Sequence, residues 1–173
     1  MAYKNKLIFE SEEDVICLTG SSGSGKSTYM RYLSEKYENI RYFSSDHKVF
    51  YGTVKDNILL GRTFDKEKLN EVVKKFELNE SFTLGRLISN EKISTGEAQR
   101  ICLIRNVVLS DNNIILLDEP TSALNELIED RVIDYLINNL VNFKIKKLII
   151  CTHSEKIKKR FKNLHIDDVR INN

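Results

Sequence analysis

The stretch VICLTGSSGSGKST, residues 15–28, constrains the fold more than any other part of the chain. Four apolar residues and a threonine read as a strand, the glycine- and serine-rich segment as a tight turn, and KST as a helix start. Gly20, Gly25, Lys26 and Ser27 fit G-x-x-x-x-G-K-[ST] in the strand–loop–helix context that this pattern requires. Glycine reaches backbone angles closed to other residues. Gly20, Ser21, Ser22, Gly23, Ser24 and Gly25 can therefore turn N–H groups inward, toward phosphate oxygens at a helix N-terminus. That helix opens with Lys26, Ser27 and Thr28, which complete the predicted nucleotide-binding segment. Lys26 places a cation between β- and γ-phosphates and so counts among the candidate catalytic residues; the Ser27 hydroxyl is a candidate Mg2+ ligand.

Beyond the loop, the chain reads as an α/β fold. Apolar runs of strand length recur as VICLT (15–19), IRYFS (40–44), NIILLD (113–118) and KLIIC (147–151). They do not alternate with polar residues, as expected of parallel strands covered on both faces. Helix-period segments lie between them. In 26–37, Tyr29, Met30, Leu33 and Tyr37 share a face; 65–78 and 96–110 repeat at helical spacing; in 125–143, Leu127, Ile128, Val132, Leu136 and Leu140 line up. The alternation indicates an α/β doubly wound fold, a mostly parallel sheet with helices on both faces, which with the Gly-rich loop resembles the P-loop NTPase (RecA-like) class. Residues 55–100 hold helical segments and no convincing strand, so they read as a small helical insertion. The expected division is one domain over 1–173, with a catalytic core at 1–54 and 101–173.

Composition narrows the setting. Hydrophobic content of 41%, charge of 30% and a net +2 suit an ordinary globular chain and give no reason to expect nucleic acid. Lysines crowd 144–147 (KIKK) and 156–162 (KIKKRFK), where a solvated helix face is the expectation. The three cysteines sit in apolar runs and read as buried core residues of a reducing compartment. The start MAYKNKLIFESEED is no signal peptide, and no apolar run approaches the ~20 residues that cross a bilayer. A cytoplasmic protein is expected, peripheral at the inner membrane face if another chain supplies the membrane.

NIILLDEPTSAL carries two acids at the end of a strand, the edge where ligands bind in such sheets. Asp118 is a candidate Mg2+ ligand, directly or through water, and Glu119 the candidate base for the water attacking the γ-phosphorus. His153, in LIICTHSEK, ends the next strand and is the candidate donor to the γ-phosphate or guide for the water. His47 and His165 have no comparable placement.

The order of Gly-rich loop, ISTGEAQR, IILLDEP and TH resembles the nucleotide-binding domain of ABC ATPases, over nearly the whole chain. The resemblance implies ATP and Mg2+ as ligands and a head-to-tail homodimer or heterodimer. In that family the signature, usually written LSGGQ, closes on the γ-phosphate held by the partner subunit's loop. Its counterpart here is Ile93 followed by Ser94, Thr95, Gly96 and Glu97, the candidate in-trans residues. Thr95 stands where the signature has glycine and Glu97 where it has glutamine. The same residues also satisfy a capping box, Ser with Glu three positions on; their place in the motif order favours the signature. Ser122, Ala123, Leu124 and Asn125 resemble the D-loop, with Asn125 in place of aspartate. VFYGTVKDNILLG (49–61) resembles the segment after the Q-loop in exporters, which puts the Q-loop glutamine position at Ser45, with Asp46 beside it; Ser45 or Asp46 is a further candidate metal ligand. The domain is shorter than usual in the family. Tyr3 reads as an exposed terminal residue, not the aromatic that stacks on adenine, which leaves most nucleotide affinity to phosphate contacts.

The expected function is ATP binding and hydrolysis by an exporter-like ABC subunit, powering transport through a separate transmembrane permease. Alternatives are an ATP-gated dimerising module with little turnover, a soluble ABC protein outside transport, and another P-loop NTPase such as a kinase.

Overall fold

The computed structural model describes residues 2–3, 6–44, 46, 48–78 and 83–171, with backbone alone at 2, 3, 6, 7, 170 and 171. The chain divides into two compact units. The first holds residues 1–44, 111–120 and 144–173; the second holds 45–110 and 121–143.

The first unit is built on five parallel strands: β1 Val15–Thr19, β2 Ile40–Phe43, β3 Ile114–Asp118, β4 Lys147–Cys151 and β5 Lys162–His165. Their spatial order is β2-β3-β4-β1-β5. β1 to β4 are the four apolar runs. Ile115, Leu116, Leu117, Leu148, Ile149 and Ile150 are fully buried, as strands sandwiched between layers must be. β5 has no such pattern. Its KNLH is mostly exposed and edges the sheet, where one covered face suffices, so apolar periodicity gave no sign of it. The lysine run before it is split between a short helix, Glu155–Lys158, and this strand, and Lys147 is buried in β4 with its ammonium on the Ser11 carbonyl, 2.5 Å away. Most of these lysines are exposed as expected, but only Lys156 and Lys158 lie on a helix.

Helix α1, Lys26–Lys36, covers the sheet with Tyr29, Met30 and Leu33, all fully buried against Leu18, Ile40, Leu116 and Ile149. Tyr37 follows the helix in extended backbone and meets Phe9 edge-on, ring centroids 5.2 Å apart. Leu33→Ala should cost about 2–5 kcal/mol, the usual result of emptying a fully packed site; urea unfolding followed by circular dichroism checks it. Cys17 and Cys151 lie in this sheet, and Cys102 in the second unit; all three are free and buried. Burial pushes the Cys17 thiol up to about 11 and the Cys151 thiol up to about 12, so both stay protonated core residues.

The second unit is mainly helical: α2 Val54–Leu59, α3 Lys66–Lys75, α4 Thr95–Leu103 and α5 Glu126–Asn138. α4 runs on through a π-helical turn, Ile104–Val108. Each start carries its own cap. Thr53 and Asp56 form a reciprocal capping box, Asp65 accepts from the Lys68 N–H, and Asn125 accepts from the Ile128 N–H. A two-residue antiparallel ladder, Gly52–Thr53 with Leu87–Ile88, adds a short pairing to a segment read as strandless. Arg105, in the π turn, donates to the Asn57 carbonyl at 2.6 Å and the Lys48 carbonyl at 3.2 Å.

Two expectations need correction. The helical unit is larger than 55–100: it begins at 45, runs to 110 and takes in 121–143. α4 and its π turn form one rod across residue 100, and α5 packs on α3, with Tyr135 edge-on to Phe76 at 5.9 Å. The buried face of α5 is also rotated. Leu127 is 60% exposed, while Glu129, Val132, Ile133 and Leu136 face inward. Glu129 is drawn in by the Thr121 hydroxyl, which donates to its carboxylate at 2.5 Å. Among the described residues no helix is long and apolar enough to cross a membrane.

Candidate active site

Parallel register brings the ends of β1 to β4 to one edge of the first unit. Asp118 pairs with Cys151, Leu117 with both Phe43 and Ile150, and the Gly-rich turn leaves β1 beside them. In that turn Gly20, Gly23 and Gly25 have φ of 144°, 73° and 90°, a region that side-chain-bearing residues rarely adopt. At Gly20 space is also closed, since a Cβ would lie 2.6 Å from Ile166 Cγ2 and 2.9 Å from Ser24 Oγ. Lys26 Nζ donates to the Gly20 carbonyl at 2.9 Å and the Ser21 carbonyl at 2.8 Å. An ammonium has three donors, so one remains for a phosphate oxygen.

The features of this turn fit a phosphate. Gly25 caps α1 with no side-chain hydrogen bond, leaving the positive end of the helix open. Ser24 Oγ is buried with no hydrogen-bond partner among the described residues. Ser21, Ser22, Ser27 and Thr28, before and after it in the chain, are exposed. For Mg2+, the Ser27 hydroxyl and the Asp118 carboxylate are hard oxygen donors, the chemistry this ion selects. No cluster of three or more His, Cys, Asp or Glu that could hold a metal occurs among the described residues. A metal here would thus draw most of its ligands from phosphate and water.

Asp118 is nearly buried, and Tyr42, at the end of β2, donates its hydroxyl to Asp118 Oδ2 at 2.9 Å. Burial first, and the Asp118 carboxylate second, push Tyr42 up to about 12, so it keeps the donated proton. The next residue is strained. Glu119 has φ of 51°, uncommon for a non-glycine residue, and its N–H is tied to the Cys151 carbonyl at 2.8 Å. That kink turns its carboxylate toward His153, whose N–H donates to Oε2 at 3.3 Å and whose Nε2 lies 3.4 Å from Oε1. Burial raises the Glu119 pKa above the ordinary carboxylate range, and His153 pulls the other way. Lys26, Asp118, Glu119 and His153 all belong to the first unit.

The second unit joins two of the predicted segments. Ser94 caps α4 and shares a reciprocal bond with Glu97: its Oγ accepts the Glu97 N–H at 3.2 Å, while its N–H and hydroxyl donate to Glu97 Oε2 at 3.0 and 2.8 Å. The capping box that the sequence allows therefore forms. Thr95 is the first helical residue and needs no glycine freedom. Gly96 is different. A Cβ there would meet the Ala123 carbonyl oxygen at 2.8 Å and Leu124 Cδ2 at 3.2 Å. Gln99, fully buried, holds the same loop: its amide donates to Ser122 Oγ at 3.3 Å and accepts from the Ala123 N–H at 3.0 Å. Asn125, read as a departure from the D-loop pattern, is the N-cap of α5, a position where Asn and Asp serve equally.

Asp46 belongs to the second unit and pairs with Lys48 at 3.3 Å. Ser45, His47 and the Tyr3 side chain lie outside the described residues. Tyr42 and Gln99 were not among the expected site residues. The sequence signals were slight: Tyr42 stands near the end of a strand adjoining β3, and Gln99 lies within ISTGEAQR, the string matched to the signature.

The family profile described as ABC transporter matches residues 8–122, from ahead of the Gly-rich loop through Ser122. The chain is 31% identical over 159 residues to the "Probable multidrug resistance-associated protein lethal(2)03659" of Drosophila melanogaster, covering 82% of this chain and 11% of that protein. It is 30% identical over 172 residues to "ABC transporter I family member 17" of Arabidopsis thaliana, covering 82% and 63%. It is 31% identical over 176 residues to the "Mesentericin-Y105 transport/processing ATP-binding protein MesD" of Leuconostoc mesenteroides, covering 84% and 24%. The chain thus spans less than two thirds of the length of these relatives.

Proposed function

The chain belongs to the ABC transporter family, whose ATP-binding domain binds and hydrolyses ATP, and on that premise we propose that it is the Mg-ATP-hydrolysing part of an exporter-like transporter. The observation that carries the proposal is the kinked Glu119, held against His153 at the same sheet edge as the Gly-rich turn. The turn's N–H groups and Lys26 hold the β- and γ-phosphates. Ser27 and Asp118 hold Mg2+, which when bound neutralises charge on the phosphate oxygens. Water attacks the γ-phosphorus while its proton passes to Glu119. The new P–O bond replaces the bond to the β-phosphate oxygen, which leaves as part of ADP, and His153 donates toward the transferred phosphoryl group. Positioning and charge neutralisation supply most of the rate.

Two copies would complete each site head to tail, the Ser94–Glu97 turn of one facing the nucleotide of the other. Gly96 and Gln99 weld that turn to the Ser122–Asn125 loop, so a phosphate that moves one moves both. Docking of a transmembrane partner on the second unit is supported by Phe50 and Tyr51, 44% and 74% exposed beside a cleft of about 390 Å3 lined also by Val49 and residues 89–92. Such a partner would place the chain at the cytoplasmic face of a membrane.

A second reading is an ATP-gated dimerising module with little turnover. Glu97 favours it, because its carboxylate already engages Ser94 and sits where the partner's phosphate would arrive. Phosphate release measured beside ATP-dependent dimerisation separates the two. Release that tracks dimer formation supports the ATPase, and dimers without release support the module.

A further inference from the structure

We propose that Tyr42 is a positioning residue for the metal-binding carboxylate; the proposal rests on the ATPase reading of this site. Tyr42 lies on β2 and Asp118 ends β3, its neighbour in the sheet. The Tyr42 hydroxyl donates to Asp118 Oδ2 at 2.9 Å. A phenol has one proton, and here it is committed to Asp118.

The consequence for Asp118 is a fixed carboxylate plane. The terminal torsion of an aspartate is broad and roughly two-fold, so an unrestrained carboxylate samples many orientations. With Oδ2 held by Tyr42, Oδ1 is the oxygen left to meet a hard cation. Removing the phenol hydroxyl would leave a nearly buried carboxylate oxygen without its donor and the metal ligand free to turn.

The test is binding of a fluorescent ATP analogue to the full chain, titrated with Mg2+ and repeated in EDTA. Tyr42→Phe keeps the ring and deletes the hydroxyl. It should raise the Mg2+ concentration for half-maximal binding about 10-fold, the scale seen when outer-shell partners of ligating groups are removed, and leave binding in EDTA unchanged. An unmoved midpoint overturns the proposal. So does an equal loss of binding in EDTA, which would mean that the phosphate turn itself is damaged. Wild-type chain that binds no nucleotide under either condition removes the ATPase reading, and this inference with it.

Discussion

Glu119→Gln should keep ATP binding and lose hydrolysis by about 10²- to 10⁴-fold, the range for removing a positioned general base. The exchange replaces one oxygen by an amide nitrogen of nearly equal size. Backbone does much to place the side chain: φ of 51°, the N–H bond to the Cys151 carbonyl at 2.8 Å, and the strand end on which it sits. A glutamine oxygen can still accept from the His153 N–H, so the edge of the sheet should not rearrange. The Gly-rich turn and Lys26 are untouched, and nucleotide affinity with them. Only proton acceptance from the attacking water disappears. If hydrolysis is also what releases two head-to-tail copies, the ATP-loaded variant should persist as a dimer where the wild type returns to monomer. Steady-state phosphate release and light scattering with ATP read the two effects. Undiminished hydrolysis would take the base role away from Glu119. A variant that stays monomeric with ATP at high concentration, in the absence of a companion chain, would remove the clasped phosphate as the source of dimerisation.

How much of this was legible without coordinates depended on the kind of force at work. The three inner strands, β1, β3 and β4, announce themselves because a strand covered on both faces must be apolar throughout, as Leu116 and Ile149 are. The Gly-rich turn is legible for a related reason, since backbone angles such as that of Gly25 admit few residues besides glycine. β5 is paired by main-chain bonds at an edge, and main-chain bonds leave no mark on side-chain pattern. The face of α5 was misread at Leu127 because an apolar count cannot foresee that Glu129 would be buried by one short bond from Thr121. Thr95 and Asn125 looked like losses against the family pattern, yet one opens a helix and the other caps one. The role of Gly96 was hidden for another reason. Its φ is not in the left-handed region, and its demand for a missing side chain arises from a loop 27 residues further on, at Ala123.

That close approach makes Gly96→Ala the second variant with a large expected effect. An added methyl would sit 2.8 Å from the Ala123 carbonyl oxygen, too near for either to remain in place. The carbonyl has little freedom to yield. Its loop is pinned by the Ala123 N–H on Gln99 at 3.0 Å, by the Leu124 N–H on the Thr121 carbonyl at 2.9 Å, and by Asn125 capping α5. Forced overpacking of this sort costs about 1–3 kcal/mol, and the displacement falls on the two segments proposed to face the partner copy. Gly96→Ala should therefore lower the unfolding free energy in urea by that amount and sharply reduce phosphate release and ATP-dependent dimerisation. Nucleotide affinity of the monomer, set by the Gly-rich turn in the other unit, should stay unchanged. Glu97→Gln moves the same seam in the opposite sense: it removes a negative charge from the mouth of α4 while retaining an acceptor for the Ser94 N–H. ATP-dependent dimerisation should then increase, because the partner's phosphate no longer meets a carboxylate. Should Gly96→Ala dimerise and hydrolyse like the wild type, the Ser94–Glu97 turn and the Ser122–Asn125 loop do not act as one piece in turnover. Should Glu97→Gln dimerise no better, the carboxylate is a helix cap and nothing more.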